Sequence, residues 1–212
     1  MAGAVEPTVA YLEERLRSTR LPEDPTRVVM PPGSDAWPEE FLGRLRASLR
    51  PAGILIPLMQ RRDGLTVLLT RRSAALRHHA GQISFPGGSM ERADADIEAT
   101  ALRETREEVG IDPESVRVLG YLDAMPTVTG YAMTPVVGWI PDGTEVVVDN
   151  AEVEYAFEVP LAFLLDPANA LPAIREIGGS SIPIVEFLYE DHRIWGATAH
   201  VLVQLRDKII KN

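Results

Sequence analysis

The chain has 212 residues and a mass of 23.3 kDa, with 45% hydrophobic and 25% charged residues, a composition that excludes disordered and collagen-like chains. Lys+Arg 21 against Asp+Glu 31 leaves a net charge of −10, which argues against a surface built to follow a nucleic-acid backbone, so no nucleic-acid partner is expected. With no cysteine there is no disulfide framework, thiolate zinc site or cysteine nucleophile, and any metal must be held by oxygen or imidazole. The N-terminal stretch carries acids and no long apolar run, and nothing later in the chain is long and apolar enough for a membrane span; the expectation is a cytoplasmic protein with no membrane partner.

In chain order, residues 8–19 and 38–49 have helical apolar spacing, with a Pro-rich loop between them. Residues 1–50 are therefore expected as an N-terminal helical extension that could cover the sheet, narrow a pocket or support a homodimer, and residues 51–212 as the main domain. From Gly53 the pattern turns to short apolar runs, GILIPLM and LTVLLTRR, separated by a turn at Asp63-Gly64. Further strands are expected at 82–86, 116–125, 135–141 and 182–190. Ala95 to Val109 is strongly helical, and the segment after Trp195 reads as a closing helix. Strands interleaved with a few helices predict an α/β fold, a mixed sheet packed between helices.

The Ala95 to Val109 helix carries the chemistry. On a wheel of about 100° per residue with Ile97 at zero, Ala101, Leu102, Thr105 and Val109 form the core face and Glu108 falls at roughly 20°, on its edge. Glu104 lies three and four residues from Glu107 and Glu108, so like charges are neighbours in the last turns, where the helix dipole also disfavours them and Gly110 is expected to end the helix. A solvated acidic face is the plain alternative, but it leaves a carboxylate at the core edge unexplained. A divalent cation would reverse each penalty, and carboxylate ligation selects a hard ion such as Mg²⁺ or Mn²⁺.

Before the helix, Phe85-Pro86-Gly87-Gly88 presents two glycines that allow a ligand or metal close to bare backbone. Upstream, Arg71, Arg72, Arg77, His78 and His79 form the densest basic cluster of an acidic chain, suited to phosphate oxygens or to pairing with surface acids.

Together these residues resemble the Nudix hydrolases. The second half of that family's signature stands as Arg103-Glu104-Thr105-Arg106-Glu107-Glu108-Val109-Gly110-Ile111. Thr105 replaces an aliphatic residue, and the spacing from Gly88 to Arg103 is one residue longer than in the general signature, with Asp94 where its first Glu is counted. That longer spacing is similar to the coenzyme A pyrophosphatase branch. So are Leu68-Leu69-Thr70-Arg71-Arg72-Ser73, then Arg77, Gly81 and Phe85-Pro86-Gly87-Gly88, and the later stretch Ile194-Trp195-Gly196-Ala197-Thr198-Ala199.

The resemblance implies a Nudix-type α/β/α sandwich around a mixed sheet over residues 51–212. It implies metal-dependent cleavage of coenzyme A or an acyl-CoA into 3′,5′-ADP and (acyl) 4′-phosphopantetheine. On this pattern Glu104 and Glu108 are the principal ligands of Mg²⁺ or Mn²⁺. Glu107 completes the cluster, and a backbone carbonyl of Gly87 or Gly88 adds an oxygen, with Gly88 assigned to the metal and Gly87 to the substrate. Arg72 and Arg77 hold substrate phosphates. The general base is expected from Glu152, in a loop outside the signature at residues 150–154, with Glu154 of the same loop and Glu107 open as alternatives. Trp195 reads as a closing residue rather than a base-stacking platform. Another nucleoside diphosphate derivative, such as a nucleotide sugar or a damaged nucleotide, is the alternative substrate, and a non-catalytic nucleotide-binding module is the alternative from a different class.

Overall fold

The computed structural model describes residues 7–46, 48–74, 81–177 and 179–210. Two short helices come first, α1 (Val9–Leu16) and α2 (Glu39–Leu45). They are followed by the strands β1 (Arg50–Arg61), β2 (Gly64–Arg72), β3 (Ile83–Ser84) and β4 (Gly87–Ser89), and by helix α3 (Ile97–Val109). The strands β5 (Arg117–Tyr121), β6 (Met125–Pro126), β7 (Tyr131–Ile140) and β8 (Val153–Pro160) complete the main sheet. Helix α4 (Leu161–Leu165), the strands β9 (Leu171–Ile177), β10 (Ser180–Tyr189) and β11 (His192–Trp195), and helix α5 (Gly196–Ile210) close the chain.

The main sheet is mixed: β1 runs parallel to β7 and antiparallel to β2 and β4. Alternate residues of β1 enter two different cores, which is why it reads as one continuous apolar run. Ile54, Ile56 and Leu58 face a core shared with Leu12 and Leu16 of α1, Leu161 and Leu164 of α4, and Leu202 and Leu205 of α5. Leu55 and Met59 face the other core, with Ala101 and Val109 of α3. The result is an α/β/α sandwich, as expected.

The helices at 97–109 and 196–210 and the turn before Gly64 stand close to the sequence expectation. Three features differ. The expected strand at 82–86 is split, because the chain leaves β2 after Ser84 and joins β1 from Gly87. The segment expected as a loop around Glu154 is the start of β8, whose Val153–Pro160 alternation pairs it with β2. The C-terminal strand belongs to a separate antiparallel sheet, β11-β10-β9. Helix α2 packs there, placing Trp37, Phe41, Leu42 and Leu45 against Ile182 and Ile184. No described helix is long and apolar enough to cross a membrane.

Candidate active site

Helix α3 is built for a fixed position. Asp96 caps it, accepting the Ala99 N–H at 2.8 Å, and Gly110 ends it in the left-handed conformation at φ 73°. Its contact with the sheet is unusually close: a Cβ on Gly53 of β1 would lie 2.6 Å from the Ile97 carbonyl oxygen. Thr105, in the position the Nudix signature gives to an aliphatic residue, is fully buried and donates its hydroxyl to the Ala101 carbonyl at 2.6 Å. The hydroxyl is thus satisfied within the helix and the methyl fills the core.

The same close packing brings the glycine loop under the helix. Gly87 and Gly88 stand opposite Ile54 and Gly53 in the β1–β4 ladder. A Cβ on Gly88 would lie 2.5 Å from Cδ of Glu104, so the missing side chain is the space that the Glu104 carboxylate occupies. Gly87 donates its N–H to Oε2 of Glu108 at 3.2 Å, and Oε1 of Glu108 lies 3.5 Å from Nη1 of Arg72 at the end of β2.

Glu108 is 3% exposed, and burial pushes its carboxyl up to about 7 against the opposing pull of Arg72 and the Gly87 N–H. Burial likewise raises Glu104, opposed by Arg103, while the charges of Glu107 and Glu152 raise it further. Glu152 also acts on Glu108, so it stands within electrostatic reach of both carboxylates. It precedes β8 in a turn closed by its N–H to the Asp149 carbonyl at 3.1 Å, and its own carbonyl accepts the Ser73 N–H at 2.9 Å. Glu154, the other candidate, lies on β8 and is engaged by Arg71, 3.3 Å from its Nε.

Arg103 organises the exposed side. Its guanidinium forks onto Asp94, with Nε to Oδ1 at 2.9 Å and Nη2 to Oδ2 at 3.0 Å. Its Nη1 reaches Glu104 at 3.0 Å and Glu107 at 3.1 Å. Asp94 also accepts from the Glu91 N–H and the Thr100 hydroxyl, and these partners hold its carboxyl down to about 2. The acid displaced from the usual first position therefore positions the arginine, a role that its sequence spacing did not disclose.

Glu104, Glu107, Glu108, Gly87, Gly88, Arg72 and Glu152 are thus gathered at one end of the α3 face of the sheet. Arg77, His78 and His79 lie outside the described residues. Among the described residues no three carboxyl groups already converge as a cage, since arginines hold them. The donor set is nonetheless all oxygen, and two of its carboxylates are disfavoured as anions by burial, so the chemistry fits a hard divalent cation. Arg72 leaves its buried Nε without a hydrogen-bond partner among the described residues. Trp195 is half-buried against the α2 core with Arg175 stacked 4.5 Å from its ring, a closing role. Gly53 was missed, because a glycine before an apolar run does not reveal which backbone will press on it.

A sandwich of this kind with a carboxylate helix over a glycine loop defines a Nudix hydrolase, and a NUDIX domain model matches residues 49–177. The chain belongs to that family and is a pyrophosphohydrolase acting on small molecules, of a class that generally uses divalent cations. It is 45% identical over 157 residues to the Nudix hydrolase NudL of Citrobacter koseri, covering 74% of this chain and 81% of that protein. With NudL of Photorhabdus laumondii it is 42% identical over 168 residues, covering 78% and 88%. Among solved structures it is similar to an Ap4A hydrolase of C. elegans, with 17% identity and a TM-score of 0.46 over 52% of this chain and 80% of that one.

Proposed function

We propose that the protein hydrolyses the pyrophosphate of coenzyme A or an acyl-CoA, releasing 3′,5′-ADP and (acyl) 4′-phosphopantetheine. The observation that carries the reading is Arg72, at the end of the Leu68–Ser73 motif. It stands 3.5 Å from Glu108 with 26% of its side chain exposed, so that its guanidinium can meet a phosphate oxygen.

Glu104 and Glu108 would be the principal ligands for Mg²⁺ or Mn²⁺, with Glu107 and the Gly88 carbonyl completing the oxygen set. When bound, the ion neutralises phosphate charge and lowers the pKa of water. Arg72 fixes one phosphate and Arg77 is assigned another, while Gly87, expected at the substrate, is pressed against β1 and instead holds Glu108 through its N–H. Glu152 takes the proton from the attacking water, because Glu154 is held by Arg71. Asp94 and Arg103 orient Glu104 and Glu107 without touching substrate.

The test is incubation of the purified protein with CoA, acetyl-CoA, ADP-ribose and nucleoside triphosphates, with and without Mg²⁺ or Mn²⁺, reading products by mass. Metal-dependent 3′,5′-ADP with phosphopantetheine is expected; turnover of other compounds alone would discard the CoA assignment.

A further inference from the structure

Beside the active site lies an open cleft of about 540 Å³ that the reaction as described leaves unused. Its lining is mostly apolar, formed by Leu68, Val146, Val148 and Ala156 on the α3 face, with Tyr155, Phe157 and Glu158 of β8 at its edge. The one acid on its wall, Glu158, is already spent: Arg61 and the Thr66 hydroxyl bind it. Among the described lining residues no charged group is left unpaired, whereas the pyrophosphate end of the site is rich in charges.

Three features tie the cleft to that site. The segment carrying Val146 and Val148 is hydrogen-bonded along the end of α3, with the Val147 N–H on the Val109 carbonyl at 2.9 Å and the Asp149 N–H on the Glu108 carbonyl at 3.0 Å. Three residues after Asp149 the same segment presents Glu152. On β2, Leu68 and Arg72 share the α3 face, since Leu68 packs with Val109 and Arg72 pairs with Glu108. Four residues of strand separate them, roughly 13 Å. A pantetheine arm, with as many bonds from phosphate oxygen to sulfur as four residues of extended chain, spans roughly 14 Å. A substrate with its phosphates at Arg72 would bring its sulfur to the mouth of the cleft.

Resting on the CoA reading above, we propose that this cleft is the acyl-chain subsite and that Val146, Val148 and Ala156 set a preference for acyl-CoA over free CoA. An acyl chain suits it because it brings apolar surface and no polar group that would go unpaired.

The test measures kcat/KM of the Mg²⁺-loaded enzyme, and equilibrium binding in EDTA, for free CoA and for acetyl-, butyryl- and octanoyl-CoA. Wild type is expected to favour octanoyl- over acetyl-CoA roughly tenfold or more in both measurements. Val148→Asp and, as a second variant that keeps the wall apolar, Ala156→Leu are expected to remove most of that ratio, with folding checked by Tm. Turnover of CoA with no dependence on chain length, or an equal loss for every CoA species in both variants, would overturn the subsite and leave the CoA reading standing. If CoA and its thioesters are not hydrolysed while ADP-ribose is, the CoA reading falls, and the subsite with it. Loss of ADP-ribose turnover in the cleft variants would then assign the cleft to a nucleobase.

Discussion

Glu108 accepts the Gly87 N–H at 3.2 Å while only 3% of it meets solvent, so the catalytic helix and the glycine loop meet through a buried charge. Burial opposes that charge and the Arg72 guanidinium supports it only at 3.5 Å. The fold thus keeps an unfavourable carboxylate where a cation would be received, the usual trade of stability for function at an active site.

Glu108→Gln is accordingly expected to lower kcat/KM at least about 100-fold while raising stability in EDTA by about 1 kcal/mol or more. Steady-state kinetics and thermal melts with and without Mg²⁺ check both halves. A variant with lowered Tm in EDTA would show that the carboxylate is a structural support.

Gly88→Ala and Gly87→Ala should part company. The new Cβ at Gly88 meets the far end of Glu104, 2.5 Å from Cδ, so the carboxylate swings away, activity falls about 100-fold and the fold holds. At Gly87 the Cβ meets backbone, 2.4 Å from the Gly53 carbonyl oxygen, at φ 150°, and folding itself should fail or lose several kcal/mol, on the order of 3. Circular dichroism melts alongside activity separate the two.

Asp94 predicts an acid limb of stability. Its carboxyl is held below the ordinary value of 3.8, down to about 2, first by the hydrogen-bonded Arg103. A depressed carboxyl stabilises the fold fully above its unfolded value, and that contribution disappears as pH falls from 3.8 to about 2. The shift corresponds to about 2 kcal/mol at neutral pH. Asp94→Asn should therefore be less stable than wild type at pH 7, with the gap narrowing as pH falls through that window. Urea titrations across pH 2–7 measure it, and a gap independent of pH would refute the assignment.

Glu152→Gln is expected to lower kcat by about 100-fold or more with KM little changed, as for loss of a general base. Glu154→Gln should change kcat by no more than about fivefold, because Glu154 is paired with Arg71. A reversal of the two effects would move the base to Glu154.

Much of this was legible in the order of residues because it is local. The periodicity of 97–109 marks a helix, Gly110 its end, and the spacing of Glu104, Glu107 and Glu108 a shared surface; each follows from 3.6 residues per turn and needs no distant partner. The Asp63-Gly64 turn and the closing helix are legible for the same reason. Other features rest on contacts between residues far apart in the chain. That β8 lies on β2 and brings Glu152, which precedes it, near α3 was decided by strand pairing. That Arg72 meets Glu108, that Asp94 serves Arg103 and that Gly53 admits the backbone of α3 were decided by packing. Helix α1 could be read as a helix, but only burial of Leu12 and Leu16 against α5 and the sheet makes it part of the main core. Local hydrogen bonding and periodicity are written in neighbouring residues, whereas the partner across a sheet or core is chosen by the burial energy of the whole chain.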